Sequence, residues 1–166
     1  MDSMFAAETL ALAQSVLEAC RGRKWRLATA ESCTGGLVAG ALTAIGGSSD
    51  VVERGFVAYS NEAKSELLDV PPETIAAHGA VSAETAAAMA RGALARAPVD
   101  LAVSVTGIAG PGGATPTKPV GLMLFGLARR GGSCRTERHV FPGDRAAIRQ
   151  ATLDFALKLL DAEARR

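Results

Sequence analysis

The chain has 166 residues, of which 48% are hydrophobic and only 4% aromatic. That length and composition fit one globular domain whose core is built from Ala, Val, Leu and Ile, and they exclude a disordered chain. With 18 basic against 17 acidic residues and a net charge of +1, there is no general phosphate footprint for nucleic-acid binding.

From the N-terminus, Leu10, Ala13, Val16 and Leu17 recur with helical period over residues 7–20, and Arg21-Gly22 offers a stop. Trp25 to Ala30 reads as a first strand. Residues 34–44 read as a small-residue helix closed by Gly46-Gly47. Val51 to Tyr59 reads as a second strand, with Gly55 marking a bulge or a close approach. Asn61 to Leu68 is a short helix stopped by Pro71-Pro72, and a further turn runs from Glu73 to His78.

Ser82 caps an Ala-rich helix that runs to Ala97, and Pro98 ends it. Leu101 to Thr106 is an apolar strand buried on both faces. A Gly/Pro/Thr loop follows over residues 107–118. Val120 to Ala128 and Cys134 to Phe141 flank a hairpin turn, and a last helix runs from about Asp144 to Glu163 with Ile148, Ala151, Thr152, Phe155 and Leu159 on its buried stripe. Strands that alternate with helices before a final hairpin predict an α/β fold: a three-layer α/β/α sandwich around a mixed β-sheet, one domain over residues 1–166.

No run of about 20 apolar residues predicts a membrane span. The N-terminal segment, with Asp2 and Glu8, lacks the basic region of a signal peptide. Cys20, Cys33 and Cys134 match no zinc spacing, and reduced thiols predict a cytoplasmic protein. His78 and His139 have no partner at metal-ligand spacing, so neither a metal site nor a Ser-His-Asp triad is expected.

Four constellations carry chemistry. Ala30-Glu-Ser-Cys-Thr-Gly-Gly36 joins the first strand to a helix. Ser32 is there either a nucleophile or a helix N-cap, and the N–H groups of Thr34, Gly35 and Gly36 offer an oxyanion site. Cys33 is the alternative nucleophile, with no histidine near it. In Tyr59-Ser-Asn-Glu-Ala-Lys64, Ser60 or Asn61 caps a helix and Lys64 lies in its first turn. The helix dipole there opposes a cation and lowers the lysine pKa. Lys64 is either a solvated surface lysine or the base of a Ser–Lys pair, and Tyr59 either packs or joins the site.

The third constellation, residues 104–113, runs a buried strand through Thr106 and Gly107 into a loop containing Gly110. It can hold an anion or a ribose, or simply make a tight crossover, and it lacks the Gly-Lys-Ser/Thr ending of a P-loop. In Gly143-Asp-Arg145 the Asp144 is a good N-cap, while Arg145 is either a surface cation or a phosphate contact.

Five segments in order are together similar to the CinA C-terminal domain family: Ala30 to Gly36, Gly55 to Lys64, His78-Gly-Ala-Val-Ser82, Thr106-Gly-Ile-Ala-Gly-Pro111 and Lys118-Pro-Val-Gly121. The resemblance spans roughly residues 7–160. It implies a nicotinamide-nucleotide amidase of the stand-alone form, without the larger N-terminal domain of two-domain relatives. The implied reaction converts nicotinamide mononucleotide to nicotinate mononucleotide and ammonia in pyridine-nucleotide recycling. No cofactor, metal, nucleic acid or membrane is implied, and a homodimer or higher homo-oligomer is expected. By the same resemblance Ser32 is the nucleophile, Lys64 its base and Tyr59 their neighbour. By that resemblance Thr34, Gly35, Thr106 and Arg145 contribute to the pocket, and Gly36, Asn61, Gly107 and Gly110 beside them are expected as further substrate contacts. A binding or regulatory module without turnover, or an amidase for another small amide, remains the alternative.

Overall fold

The computed structural model describes residues 2–166. Five strands form one mixed sheet in the order β2-β1-β3-β4-β5: β1 Leu27–Glu31, β2 Val52–Val57, β3 Leu101–Gly107, β4 Leu122–Arg129 and β5 Cys134–Val140. β1 pairs in parallel with β2 and β3, and β3, β4 and β5 pair antiparallel in turn. α1 (Ala7–Arg23), α2 (Leu37–Thr43) and α6 (Arg145–Ala164) pack on one face, and α3 (Asn61–Leu68), α4 (Pro72–His78) and α5 (Ala83–Arg96) on the other. This is the expected three-layer sandwich.

The two faces of the sheet carry different side chains because strand residues alternate. Leu27, Leu101, Val103, Val105, Met123, Phe125 and Leu127 face α1, α2 and α6 and make the bulky half of the core. The opposite face holds Ala28, Ala30, Ala102, Ser104 and Gly126. Small residues there let α5, itself Ala86, Ala90 and Ala93 on its inner side, lie close against the strands. A Cβ at Gly126 would stand 2.3 Å from the Ala86 carbonyl oxygen, and the Ser104 hydroxyl donates to that same oxygen at 2.6 Å. That carbonyl is thus bonded although it is buried against the sheet.

The boundaries differ from expectation in three informative places, and Gly55 takes one of its two expected roles. α1 passes through Gly22 and stops at Lys24, whose N–H donates to the Arg21 carbonyl and whose left-handed φ of 58° lets the next N–H, of Trp25, reach back to the Cys20 carbonyl. β1 is displaced to include Glu31, which pairs with Val57 and Val105. α2 begins only at Leu37, because Gly35 and Gly36 have φ of 58° and 103° and cannot belong to a right-handed helix. Gly55 marks a close approach, with Thr29 Oγ1 2.7 Å from where its Cβ would be, whereas the register shift lies between the pairs Leu27–Val52 and Ala28–Arg54.

Candidate active site

The carboxyl ends of β1, β2 and β3 open on one edge of the sheet. The chain leaves β1 for α2 on one face and leaves β2 for α3 on the other, so a crevice opens between the two strand ends, where open α/β sheets bind ligands. Ser32 is the first residue after β1. Its N–H donates to the Val105 carbonyl at 3.0 Å, which fixes its backbone to β3. The N-cap role open to Ser32 falls instead to Glu31. The Glu31 carboxylate is 1% exposed and accepts the N–H groups of Val38 (2.9 Å) and Ala39 (3.1 Å) at the start of α2. The Ser32 hydroxyl is therefore not engaged by the helix.

Lys64 arrives from the other side of the crevice. Ser60 caps α3 by accepting the Ala63 N–H at 3.0 Å. Lys64 and Leu68, one turn apart, face inward. Leu68 packs among Ala30, Ala58 and Met89, and Lys64 is 1% exposed. Its Nζ lies 3.1 Å from Ser32 Oγ and 3.2 Å from the Tyr59 carbonyl oxygen. Burial pushes the Lys64 pKa below the ordinary lysine value, opposed in smaller measure by Cys33 and Glu62. Burial is thus the cause that lowers it, where the sequence pointed to the helix dipole. A neutral amine at this distance could accept a proton from Ser32, and the Tyr59 carbonyl holds the amine by one of its N–H groups.

The turn after Ser32 is tied down from within and from α6. The Ser32 carbonyl accepts the Gly35 N–H at 3.0 Å. Arg149 donates from Nε to the Cys33 carbonyl at 3.1 Å and from Nη2 to the Thr34 carbonyl at 3.3 Å. Among the described residues, no acceptor meets the N–H groups of Cys33, Thr34 or Gly36. Gly35, expected as an oxyanion donor, has its N–H already bonded. The Thr34 hydroxyl is fully buried and also without a partner.

A third group closes one end of the crevice. Arg145, the first residue of α6 after the Asp144 cap, donates from Nη1 to the Gly110 carbonyl at 2.9 Å and from Nη2 to the Tyr59 hydroxyl at 3.2 Å. A cavity of about 500 Å³ lies beside it, lined by Ala109, Pro111, Val120, Gly143 and Arg145. Among the described residues, no carboxylate lies within 4.0 Å of Lys64, Arg145 or Arg149, whereas Arg21, Arg54 and Arg96 each hold one. Two guanidinium groups without carboxylate partners, Arg145 and Arg149, favour an anionic ligand.

Comparison with known proteins identifies the family. Residues 9–164 match the model of the CinA C-terminal domain. The chain belongs to the CinA C-terminal domain family. It is 48% identical over 157 residues to the nicotinamide-nucleotide amidohydrolase PncC of Escherichia coli K12, covering 95% of each chain. It is 45% identical over 157 residues to a putative competence-damage inducible protein of Caldicellulosiruptor bescii, covering 95% of this chain but only 38% of that protein. The crystal structure of competence/damage inducible protein CihA from Agrobacterium tumefaciens superposes with a TM-score of 0.94 at 46% identity, covering 97% of this chain and 98% of that one.

This CinA C-terminal domain links Ser32, Lys64, Tyr59 and Arg145 through successive contacts, with Thr34 and Gly36 in the turn after Ser32. The other residues expected at the site have different surroundings. Thr106 is 1% exposed and its hydroxyl donates to the Ala80 carbonyl at 2.8 Å, fixing the segment before α5. Gly107 leaves room for Met123, whose Sδ would be 2.1 Å from a Cβ there. Gly110 acts through its carbonyl on Arg145. Asn61 is exposed and lines a separate cavity of about 550 Å³ with Glu62, Ser65, Pro72 and Ile75.

The Cys33 thiol points into the core, 3.5 Å from Met123 Sδ, and burial pushes it up to about 11, so it is a poor nucleophile at neutral pH. His139 stays in an aromatic cluster, stacked on Phe141 with centroids 5.6 Å apart. Among the described residues, no group of three or more His, Cys, Asp or Glu side chains is placed to hold a metal ion, and no helix is long and apolar enough to cross a membrane. Two residues of the site went unread in the sequence, Glu31 and Arg149. Arg149 carried a signal: it follows Arg145 by four positions, one turn along the same face of α6.

Proposed function

We propose that this protein is a nicotinamide-nucleotide amidohydrolase, one amidase domain over the whole chain, acting through a Ser32–Lys64 pair. The observation that carries the proposal is the buried Lys64 amine, without a carboxylate partner, 3.1 Å from Ser32 Oγ at the strand-end crevice. The near full-length similarity to a protein named nicotinamide-nucleotide amidohydrolase supplies the substrate class.

In this scheme neutral Lys64 takes the Ser32 proton while Oγ bonds to the carboxamide carbon. N–H groups of the turn after Ser32 receive the oxyanion, a contribution of about 3–4 kcal/mol in comparable sites. Lys64 returns the proton to the departing nitrogen, the C–N bond breaks, and ammonia leaves an acyl ester on Ser32. Water then gives a proton to Lys64 and attacks the ester. The Ser32 oxygen recovers that proton as nicotinate mononucleotide departs. Arg145 and the Gly110 loop hold the 5′-phosphate, which answers the excess of positive charge at the start of α6. Tyr59 shapes the mouth through its hydroxyl on Arg145. The reading includes a homodimer or higher homo-oligomer, and a cytoplasmic location in keeping with three free cysteines.

The test is ammonia release from nicotinamide mononucleotide, with chelator present, by the parent, Ser32→Ala and Lys64→Ala. Turnover in the parent that falls at least about 10³-fold in both variants is expected. Stoichiometric nucleotide binding without ammonia would overturn the amidase reading.

A further inference from the structure

We infer that Arg149 is a positioning residue for the oxyanion site, acting through the peptide between Cys33 and Thr34. The inference rests on the proposed acyl transfer at Ser32. Because a trans peptide is planar, its C=O and the following N–H point in opposite directions. Whatever holds the carbonyl therefore aims the N–H. The two N–H groups that follow the Ser32 residue are those of Cys33 and Thr34, and both lack acceptors.

Each belongs to a peptide gripped at its other end. The Ser32 carbonyl, which shares a plane with the Cys33 N–H, accepts from Gly35 at 3.0 Å. The Cys33 carbonyl, which shares a plane with the Thr34 N–H, accepts from Arg149 Nε at 3.1 Å. The second Arg149 contact, from Nη2 to the Thr34 carbonyl at 3.3 Å, joins the Leu37 N–H at 3.1 Å in fixing the next peptide, whose N–H is the Gly35 donor. One guanidinium thus holds two successive carbonyls in a fork that only arginine presents. Residues 33–36 form a turn outside any helix or strand, with two left-handed residues, so no regular ladder supplies that rigidity.

The charge acts in the same direction as the geometry. A cation at the carbonyl polarises the peptide and makes its N–H a stronger donor. Arg149 has no carboxylate within 4.0 Å among the described residues, so its charge is not cancelled locally. Gly35 contributes its left-handed φ of 58°, which a residue with a side chain rarely adopts, and its Cβ position would lie in ordinary contact with Arg149 Nη2 at 3.6 Å. Arg145 and Arg149 therefore divide their work along one face of α6. Arg145 faces the Gly110 loop and Tyr59, and Arg149 faces the turn that receives developing negative charge.

The test compares Arg149→Met and Arg149→Lys with the parent in three readouts: steady-state hydrolysis of nicotinamide mononucleotide, thermal melting, and the rate at which a fluorophosphonate labels Ser32. The labelling step bonds Oγ to phosphorus with loss of fluoride, and its phosphoryl oxygen uses the same N–H donors. Arg149→Met is expected to lower kcat about 100-fold with KM within about 3-fold, and to slow labelling in parallel. Arg149→Lys, which can still grip one carbonyl, is expected to recover part of both rates. A KM rise with kcat retained would make Arg149 a ligand contact and overturn the inference. So would unchanged labelling in Arg149→Met, or equal losses in both variants that track a fall in melting temperature. If the parent is labelled at Ser32 but releases no ammonia, the amidase reading fails while the labelling rates still decide the role of Arg149. A parent inert to the fluorophosphonate refutes the inference.

Discussion

Replacing Lys64 by Met removes the buried amine while nearly conserving shape, and its consequences can be worked through with a definite sign. In the unfolded chain Lys64 titrates near its ordinary value of 10.5, and in the folded protein burial places it lower. Above 10.5 both states carry a neutral amine and the shift costs nothing. As pH falls below 10.5 the unfolded chain takes up the proton first, so folded Lys64 becomes progressively destabilising. The slope reaches about 1.4 kcal/mol per pH unit and vanishes below the folded pKa. Lys64→Met removes that slope. It also removes the hydrogen bonds to Ser32 Oγ and the Tyr59 carbonyl, about 1 kcal/mol each, which displaces the whole difference by a constant. The variant should therefore gain stability relative to the parent as pH falls, whatever the offset. Each pH unit within the window adds about 1.4 kcal/mol, or roughly 3–6 °C in melting temperature for a chain of this size. Melting of both proteins from pH 6 to 10 gives the pH at which the difference levels off. The rising limb of kcat/KM in the parent reports the same group in the free enzyme and should fall at the same pH. A melting difference independent of pH, or a rising limb at or above 10.5, would refute a neutral lysine base.

Arg145→Met removes a cation without a carboxylate partner and the contacts to Gly110 and Tyr59. Loss of one charge-assisted contact to a phosphate should raise KM for nicotinamide mononucleotide about 10- to 100-fold while leaving the phosphate-free riboside nearly unaffected. Equal effects on the two substrates in steady-state assays would remove the phosphate role. Glu31→Ala leaves the N–H groups of Val38 and Ala39 without their acceptor. It should cost about 2–4 kcal/mol, a fall of roughly 5–15 °C in melting temperature. Glu31→Gln, which keeps an acceptor oxygen, should lose less. A Glu31→Ala protein that melts with the parent would show that α2 needs no carboxylate at its start.

The layers and the strand-end location of the site were legible because they follow from local rules. Alternation of strand and helix gave the sandwich, and Ser32, Tyr59 and Thr106 fell at strand ends by simple counting. What escaped depends on contacts between segments distant in sequence. Glu31 belongs in sequence to the motif around Ser32, yet its carboxylate caps a helix that starts six residues later. Nothing in the local sequence says that the glycines delay α2 and leave Glu31, not Ser32, as its acceptor. Arg149 lies 116 positions from Cys33, a pairing no local spacing reveals. Thr106 and Gly107 had the composition of a ligand loop but face Ala80 and Met123, because the sheet packs there against its own neighbours. Lys64 taken alone resembled a surface lysine, and only the inward turn of α3 beside Leu68 shows that its amine is buried.

The burial of Lys64 in turn depends on the small-residue face of the sheet. Ala28, Ala30, Ala102, Ser104 and Gly126 bring α5 against the strands. α3 then seats its last turn on α5, where Gly92 leaves a Cβ position only 1.8 Å from the Leu68 carbonyl oxygen. A bulkier residue at Gly92 would lift the end of α3 away from α5 and open the Lys64 amine to water. Desolvation of the base and packing of the layer are therefore one property of this fold. The low aromatic content that first seemed only to describe the core is what permits a lysine to be held dry at its edge.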